Sequence, residues 1–308
     1  MAENKPETKE EPGKKDAKPK KAKKQSSSGP DLATILGFIV AFGGIGAGFM
    51  MEHGNPKDIA QITAALIVLG GTLGAVMITT PLNVVMRAAA RLPSLFFPSV
   101  PVMDAIIDEI IGYAGVARKS GIVSLEAQAS NIKDPFLKKA LGLAVDGIET
   151  SNIRDIMELE MSIGEHRDEA EAKVFEAAGG YAPTIGIIGA VLGLIQVMKN
   201  LANIEEVGRG IAVAFVATIY GVATANIVFL PAANKLKARA AERMRARELM
   251  LEGVLSIAEG LNQNLIRMKL SAYSEKHEKP AREKAKKKAD AKAGAKADAP
   301  PNAAPAEG

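Results

Sequence analysis

The chain has 308 residues, 47% of them hydrophobic but only 4% aromatic, and a formal net charge of +4. It contains no cysteine, which excludes disulfides, thiolate metal sites and cysteine nucleophiles, and its three histidines, His53, His166 and His277, are too scattered to share a metal. Apolar residues gather in blocks with the charges between them, and the basic residues lie in the tails and beside those blocks, a pattern of membrane contact rather than nucleic-acid binding.

Residues 1–30 hold nine Lys and five Asp or Glu with almost no apolar side chains, which predicts a disordered arm. The arm is too long for the charged region of a signal peptide, and the apolar run after it is too long for a signal-peptide core. Charge-free runs cover 32–51, 59–86, 177–198 and 210–234, and each reaches the roughly 20 residues that cross a hydrocarbon layer of about 30 Å. The linkers EHGNPKD and KNLANIEEVGR are short, so the runs form two hairpins.

Residues 87–176 between the hairpins are too polar for lipid and read as helices. Val102, Met103, Ile106, Ile107, Ile110 and Ile111 stripe a first helix over 102–119. Gly121 suits its end and Ser124 an N-cap for the next. Pro135 sits near the start of a third. Ser151 can cap a fourth from Asn152 to about Glu176, roughly 36 Å long at 1.5 Å per residue, leading straight into the third run. After the fourth run, 232–273 predicts one further helix, basic first and then striped by Leu251, Val254, Leu255, Ala258, Leu261 and Leu265. An Ala, Lys and Pro composition then predicts a disordered tail.

The expected organisation is an arm (1–30), two spans (31–86), a helical domain (87–176), two further spans (177–234), a helix (235–273) and a tail (274–308). The fold class is an all-α integral membrane protein with four transmembrane helices in two hairpins. Lys and Arg number one and two in the short linkers, against nine in the arm and six in 235–247. This places both termini and the helical domain in the cytoplasm. The basic arms are also suited to anionic lipid.

None of the four runs contains Asp, Glu, Lys, Arg or His. An ion crossing here needs a titrating group from a partner chain, because a membrane ion pathway has to bind and release charge. The runs offer instead small residues at helical spacing: Gly186 with Ala190, Gly189 with Gly193, Gly70 with Gly74, and Ala214, Thr218 and Ala225. Such residues let helix backbones approach closely, either to pack the helices of one subunit or to form an intersubunit or pore face; spacing leaves both open. Thr218 either bonds the carbonyl four residues back or serves a polar pathway. Pro183 and Pro231 either mark boundaries and kinks or free a carbonyl beside such a pathway. Arg118 and Glu126 fall at the end of one helix and the start of the next, where each complements a helix dipole.

Three stretches carry a resemblance that spans about Asp31 to Leu270. They are ARKSGIVSLE, GGYAPTIGIIGAVLGLI and VATIYGVATANIVFLPAANKLK. In this order on a four-span chain, they resemble the MotA/PomA branch of the MotA/TolQ/ExbB family, the membrane subunits of bacterial flagellar stators. The resemblance implies that Pro183 and Pro231 couple ion flow to rotation. It implies that Thr218 lies near the site where the aspartate of a MotB-like single-span partner binds the ion. Ala190 falls where sodium-driven relatives tend to have Thr, which implies protons rather than sodium as the coupling ion; alanine offers no oxygen ligand to sodium. Arg118 and Glu126 match the charged pair that engages the rotor protein FliG, and Glu160 matches a further charged position. The same kinship implies a homo-oligomer, five copies around a partner dimer, in the bacterial inner membrane. It implies no cofactor, and force generation rather than enzymatic catalysis. The alternatives are an ExbB/TolQ-type energiser of envelope transport, which would have three spans and its large cytoplasmic block after the first, or a non-conducting scaffold.

Overall fold

The computed structural model describes residues 30–97, 101–129 and 131–274. The predicted arm and tail lie outside these residues, apart from Pro30 and Ser274. Among the described residues every regular element is helical, and four helices are long and apolar enough to cross a membrane.

The first, α1 (Leu32–Met51), is N-capped by Asp31, whose side chain accepts from the Thr34 N–H at 3.1 Å. None of its residues is buried. The second, α2 (Ile62–Thr79), is shorter than the run 59–86 that predicted it. Pro81 disfavours helix in the residue before it, and Thr80 is extended (φ −133°). The end of that run therefore belongs to the next helix, α3 (Leu82–Phe96). At its start α2 is separated by Ala60 and Gln61 from a one-turn helix, Pro56–Ile59. Broken backbone near membrane depth needs partners within the protein. Tyr220 supplies them: its hydroxyl donates to the Ile59 carbonyl (2.6 Å) and accepts from the Gln61 N–H (3.4 Å).

The polar domain begins with α4 (Met103–Ser120), which ends at Gly121, where φ is +82°. A 3-10 turn, Ile122–Leu125, follows and leads into a single α-turn, Glu126–Ala129. Ser124 is not an N-cap: it lies inside the 3-10 turn and donates to the Gly121 carbonyl at 2.6 Å. Helix α5 (Pro135–Val145) starts as predicted, with Pro135 in its first turn and Asp134 accepting from the Phe136 and Leu137 N–H groups.

Two very long helices complete the frame. One is α6 (Thr150–Lys199, 50 residues) and the other α7 (Ile204–Ala258, 55 residues), about 75 and 80 Å at 1.5 Å per residue. Each runs from a span into the polar domain without interruption. Ser151 lies inside α6 rather than capping it, and Glu149 occupies the cap position with no side-chain hydrogen bond. The predicted helix 232–273 is two elements. Glu259 and Gly260, with φ +73° at the glycine, turn the chain back into α8, residues 263–274. The turn breaks the helical register, so Leu265 is 44% exposed while Ile266 and Leu270 are fully buried. Residues from α4, α5, α6, α7 and α8, including Ile110, Leu141, Met157, Leu255 and Ile266, form the core of this domain.

Two charge clusters bind the helices together where the spans meet the polar domain. In the first, Glu171 of α6 is 3% exposed; it accepts from Arg91 Nε at 2.9 Å and pairs with Arg87 at 3.4 Å. Asp168 one turn away bridges Arg91 (3.1 Å) and Arg243 of α7 (2.8 Å). In the second, Asp31 takes Lys235 and, at 3.0 Å, Arg239, which also donates to the Leu95 carbonyl. The Asp31 N–H bonds the Phe96 carbonyl at 2.8 Å. Helix α1 is thus anchored at its base to α3 and α7.

Two outcomes are expected. The Lys235 hydrogen bond, helped by the Thr34 N–H, outweighs partial burial and holds Asp31 at about 2. A depressed carboxylate contributes stability above its unfolded value of about 3.9 and loses it as pH falls through the folded value. Between about pH 4 and pH 2, the solubilised wild type should therefore lose more thermal stability than Asp31→Asn. Second, Tyr220→Phe orphans the Ile59 carbonyl and should destabilise the fold by about 1–3 kcal/mol, read as a lower melting temperature.

Candidate functional site

Helices α6 and α7 meet along a seam of glycine and alanine. A Cβ added to Gly186 would stand 2.9 Å from the Ala217 carbonyl oxygen, one on Gly193 2.8 Å from Ala214 N, and one on Gly221 2.5 Å from the Ala182 carbonyl oxygen. The two backbones are in contact, and only the absent side chains allow it. This decides the question that spacing left open: Gly186, Gly189 and Gly193 pack helices within one subunit. Gly70 and Gly74 do not, since nothing lies within 4 Å of either Cβ position.

One side of the seam is covered by α2. Ile67 reaches Gly189 and Ile185 lies over Gly71, while Ala64 and Val68 pack with Val216 and Ala217. At about 100° per residue, the opposite side carries Pro183, Ile187, Ala190 and Leu194 from α6, and Ile211, Phe215, Thr218 and Val222 from α7. This face is bare: Ile187 is 58% exposed and Phe215 69%. Pro183, Ala190 and Thr218, far apart in sequence, therefore share one surface. The Thr218 hydroxyl donates to the Ala214 carbonyl at 3.1 Å, and its lone pairs remain available as acceptors.

Both long helices are altered toward the polar-domain end of this face. Pro183 has no N–H, so the Gly179 carbonyl loses its helical partner. Gly179 faces Leu230 of α7, which a Cβ would meet at 2.7 Å. In α7 the preceding turn, Thr224–Phe229, is a π-helix. It widens the backbone ahead of Pro231, whose ring would crowd the carbonyl four residues back. Pro231 itself points elsewhere. It is exposed and lines an apolar cleft of 380 Å³ with Phe38, Phe96, Asn226 and Lys235, away from Ala190 and Thr218.

The charged candidates lie at the far end of the polar domain. Arg118 in the last turn of α4 and Glu126 after the 3-10 turn flank Gly121–Leu125; both are exposed, and among the described residues neither makes an ion pair. Their positions also complement the helix termini. Glu160 is engaged with Lys139 of α5 at 2.6 Å. Among the described residues no group of three His, Asp or Glu is placed to hold a metal.

Sequence reading missed Tyr220 and the arginine–carboxylate cluster. Tyr220 stood in view as a phenol within an apolar run. Arg87 with Arg91, and Asp168 with Glu171, show helical spacing, but only the fold brings them together.

A bare apolar face, with a hydroxyl and no charge at membrane depth, belongs to a multi-pass membrane subunit completed by other chains. Residues 128–249 match the MotA/TolQ/ExbB proton channel family, and residues 35–118 match the N-terminal family of motility protein A. Motility protein A of Bacillus subtilis (strain 168) is 37% identical over 244 residues, 79% of this chain and 90% of its own length. The C. jejuni MotAB structure superposes with a TM-score of 0.75 at 32% identity, covering 79% of this chain and 95% of that one. The flagellar MotAB stator complex from Bacillus subtilis gives 0.73 at 36%, covering 78% and 95%. The chain belongs to the MotA/TolQ/ExbB proton channel family.

The seam yields a paired prediction. Gly221→Ala forces backbones apart and should cost about 1–3 kcal/mol, whereas Gly74→Ala, in open space, should be neutral or stabilising by up to about 1 kcal/mol. Melting of the two variants side by side checks the difference.

Proposed function

We propose that this chain is a flagellar stator subunit that converts inward proton flow into torque. Several copies, five by analogy with the family, surround the single spans of a MotB-like dimer in the inner membrane, with both termini and the polar domain in the cytoplasm. The observation that carries the reading is the bare α6–α7 face. It presents Ala190 and Thr218 with no titratable group, and it continues without a break into a cytoplasmic lever. The partner's aspartate supplies the charge.

When that carboxylate is neutralised, its desolvation cost falls by several kcal/mol, which favours a different packing against the face. A ligand shifts an equilibrium only by its differential affinity for the two states, and here the proton is the ligand. One proton crossing about 100 mV delivers roughly 2.3 kcal/mol to each step. The backbone alterations at Pro183 and before Pro231 give the spans a place to flex. The seam keeps α6 and α7 together, so rearrangement in the spans moves the polar domain. Arg118 and Glu126, unpaired among the described residues, then meet the rotor protein FliG. Contact through exposed charges is steered electrostatically and weakened by salt, because the Debye length is about 8 Å at physiological ionic strength. Glu160 serves the rotor less directly, through its hold on α5.

The test is swimming in cells that lack the gene and its paralogues, complemented with variants. Pro183→Leu and the Arg118→Glu, Glu126→Arg double reversal are expected to abolish or strongly reduce motility while the protein still reaches the membrane. Speed should be independent of sodium. Normal swimming without the gene would overturn the stator reading, and sodium dependence would overturn the choice of ion.

A further inference from the structure

The cleft that holds Pro231 joins two unlike parts. Its walls are apolar and include Phe38 and Ala41 of α1, Leu92 and Phe96 of α3, and Ile227 and Val228 of α7. The α1 and α7 residues belong to membrane spans, so the cleft lies at the depth of lipid tails. Its 380 Å³ falls within the roughly 300–1,000 Å³ of sites that hold small molecules.

At the end nearer the polar domain the charges begin, with Asp31 just before α1 and Lys235 just after the fourth charge-free run. Lys235 lines the cleft and bonds Thr34 and Asp31. Arg239, one turn further on and 8% exposed, takes the same carboxylate at 3.0 Å, and it donates to the carbonyl of Leu95, itself a lining residue. Two cations therefore share one carboxylate, and among the described residues neither pairs with a second. The Arg239 Nη1 is shielded and makes no hydrogen bond among them. A buried charge needs a counter-charge and hydrogen bonds to offset its desolvation, so this cluster is suited to one more anionic oxygen.

A ligand that satisfies both parts carries an anionic head and an aliphatic chain. The protein's own ends do not combine them, for residues 1–29 and 275–308 contain acidic residues but no Leu, Ile, Val or Phe. We propose that the cleft binds an anionic phospholipid, its phosphate beside Arg239 and Lys235 and one acyl chain between α1 and α7. Basic pockets between transmembrane helices at the cytoplasmic side recognise such headgroups. The leaflet follows from reading the polar domain as cytoplasmic; the binding does not depend on torque generation. Pro231 lines the same cleft, so the bound lipid touches α7 just after the π-helix. It fills the gap between α1 and α7, and it makes the subunit responsive to the anionic lipid content of the membrane.

The chain has no tryptophan, so Phe38→Trp places a single fluorophore in the cleft of the full chain, reconstituted in phosphatidylcholine vesicles. Phosphatidylglycerol with brominated acyl chains should half-quench it at about one-fifth of the mole fraction that brominated phosphatidylcholine requires, the effect expected of one cation beside the headgroup. Arg239→Gln should remove this preference. Because that variant also takes a partner from Asp31, Gly37→Leu provides a second test. Gly37 lines the cleft with nothing within 4 Å of its Cβ position, so the leucine occupies the lipid's place without altering the charges. The preference should disappear while melting stays unchanged. A control fluorophore at Ile78→Trp, a position 88% exposed on α2, should be quenched equally by both lipids. Equal quenching of Phe38→Trp by the two lipids would mean contact with bulk lipid only, and quenching by neither would mean that another chain seals the cleft. Either result overturns the proposal and leaves the stator reading, which is decided by swimming, as it was.

Discussion

The backbone contact between α6 and α7 organises this subunit. Lipid tails are as apolar as the side chains, so water gives these helices little reason to associate inside a bilayer. Close packing supplies it, and at Gly186, Gly193 and Gly221 the packing is close enough to exclude even a methyl group. Once the pair is fixed, the other placements follow from it. Helix α2 lies on one side, and the side left bare collects Pro183, Ala190 and Thr218. Because both helices continue from the spans into the polar domain, with only local changes at Pro183 and Thr224–Phe229, the arrangement in the spans governs where the polar domain stands.

Charge is arranged in three zones along the lever. The spans have none. Where they meet the polar domain, Arg87, Arg91, Asp168, Glu171 and Arg243 form one cluster, and Asp31, Lys235 and Arg239 another. The carboxylates are the shielded members, Glu171 and Asp168 being 4% and 13% exposed at their side chains, so removing an arginine leaves a charge uncompensated where water reaches it poorly. At the far end Arg118 and Glu126 are exposed and unpaired among the described residues. Neutral walls suit an ion carried by another chain, fixed charges hold the joints, and free charges suit a transient contact.

Much of this was legible in the sequence because span length, charge placement and helical periodicity are local signals. The four spans, the helical domain between the second and third, and the start of α5 at Asp134 and Pro135 all follow from them. The 3-10 turn at Ser124 and the reversal at Gly260 did not: a break after Gly121 was legible but not its 3-10 form, and the reversal competes with a continuous helical pattern; both are decided by packing. Leu265 shows the consequence: the stripe predicted it inward, and a turn of two residues moved its burial to Ile266. At the candidate site, motifs named Pro183, Ala190, Thr218 and Pro231 together. Only the three-dimensional arrangement places three of them on one face and Pro231 in a separate cleft. The glycines could not be interpreted by spacing at all, because Gly186 and Gly74 read alike and meet opposite surroundings.

Helix α1 is joined to the rest of the subunit at its base, through Asp31 and the packing of Phe38 on Phe96, whose ring centroids lie 5.7 Å apart. Above that point Gly43, Gly44, Gly46 and Gly48 have no neighbour within 4 Å of their Cβ positions. A rod pinned at one end and smooth along its length can tilt without disturbing the seam. Helix α1 is therefore the compliant member of the subunit, able to follow whatever lies beside it while the α6–α7 pair keeps its geometry.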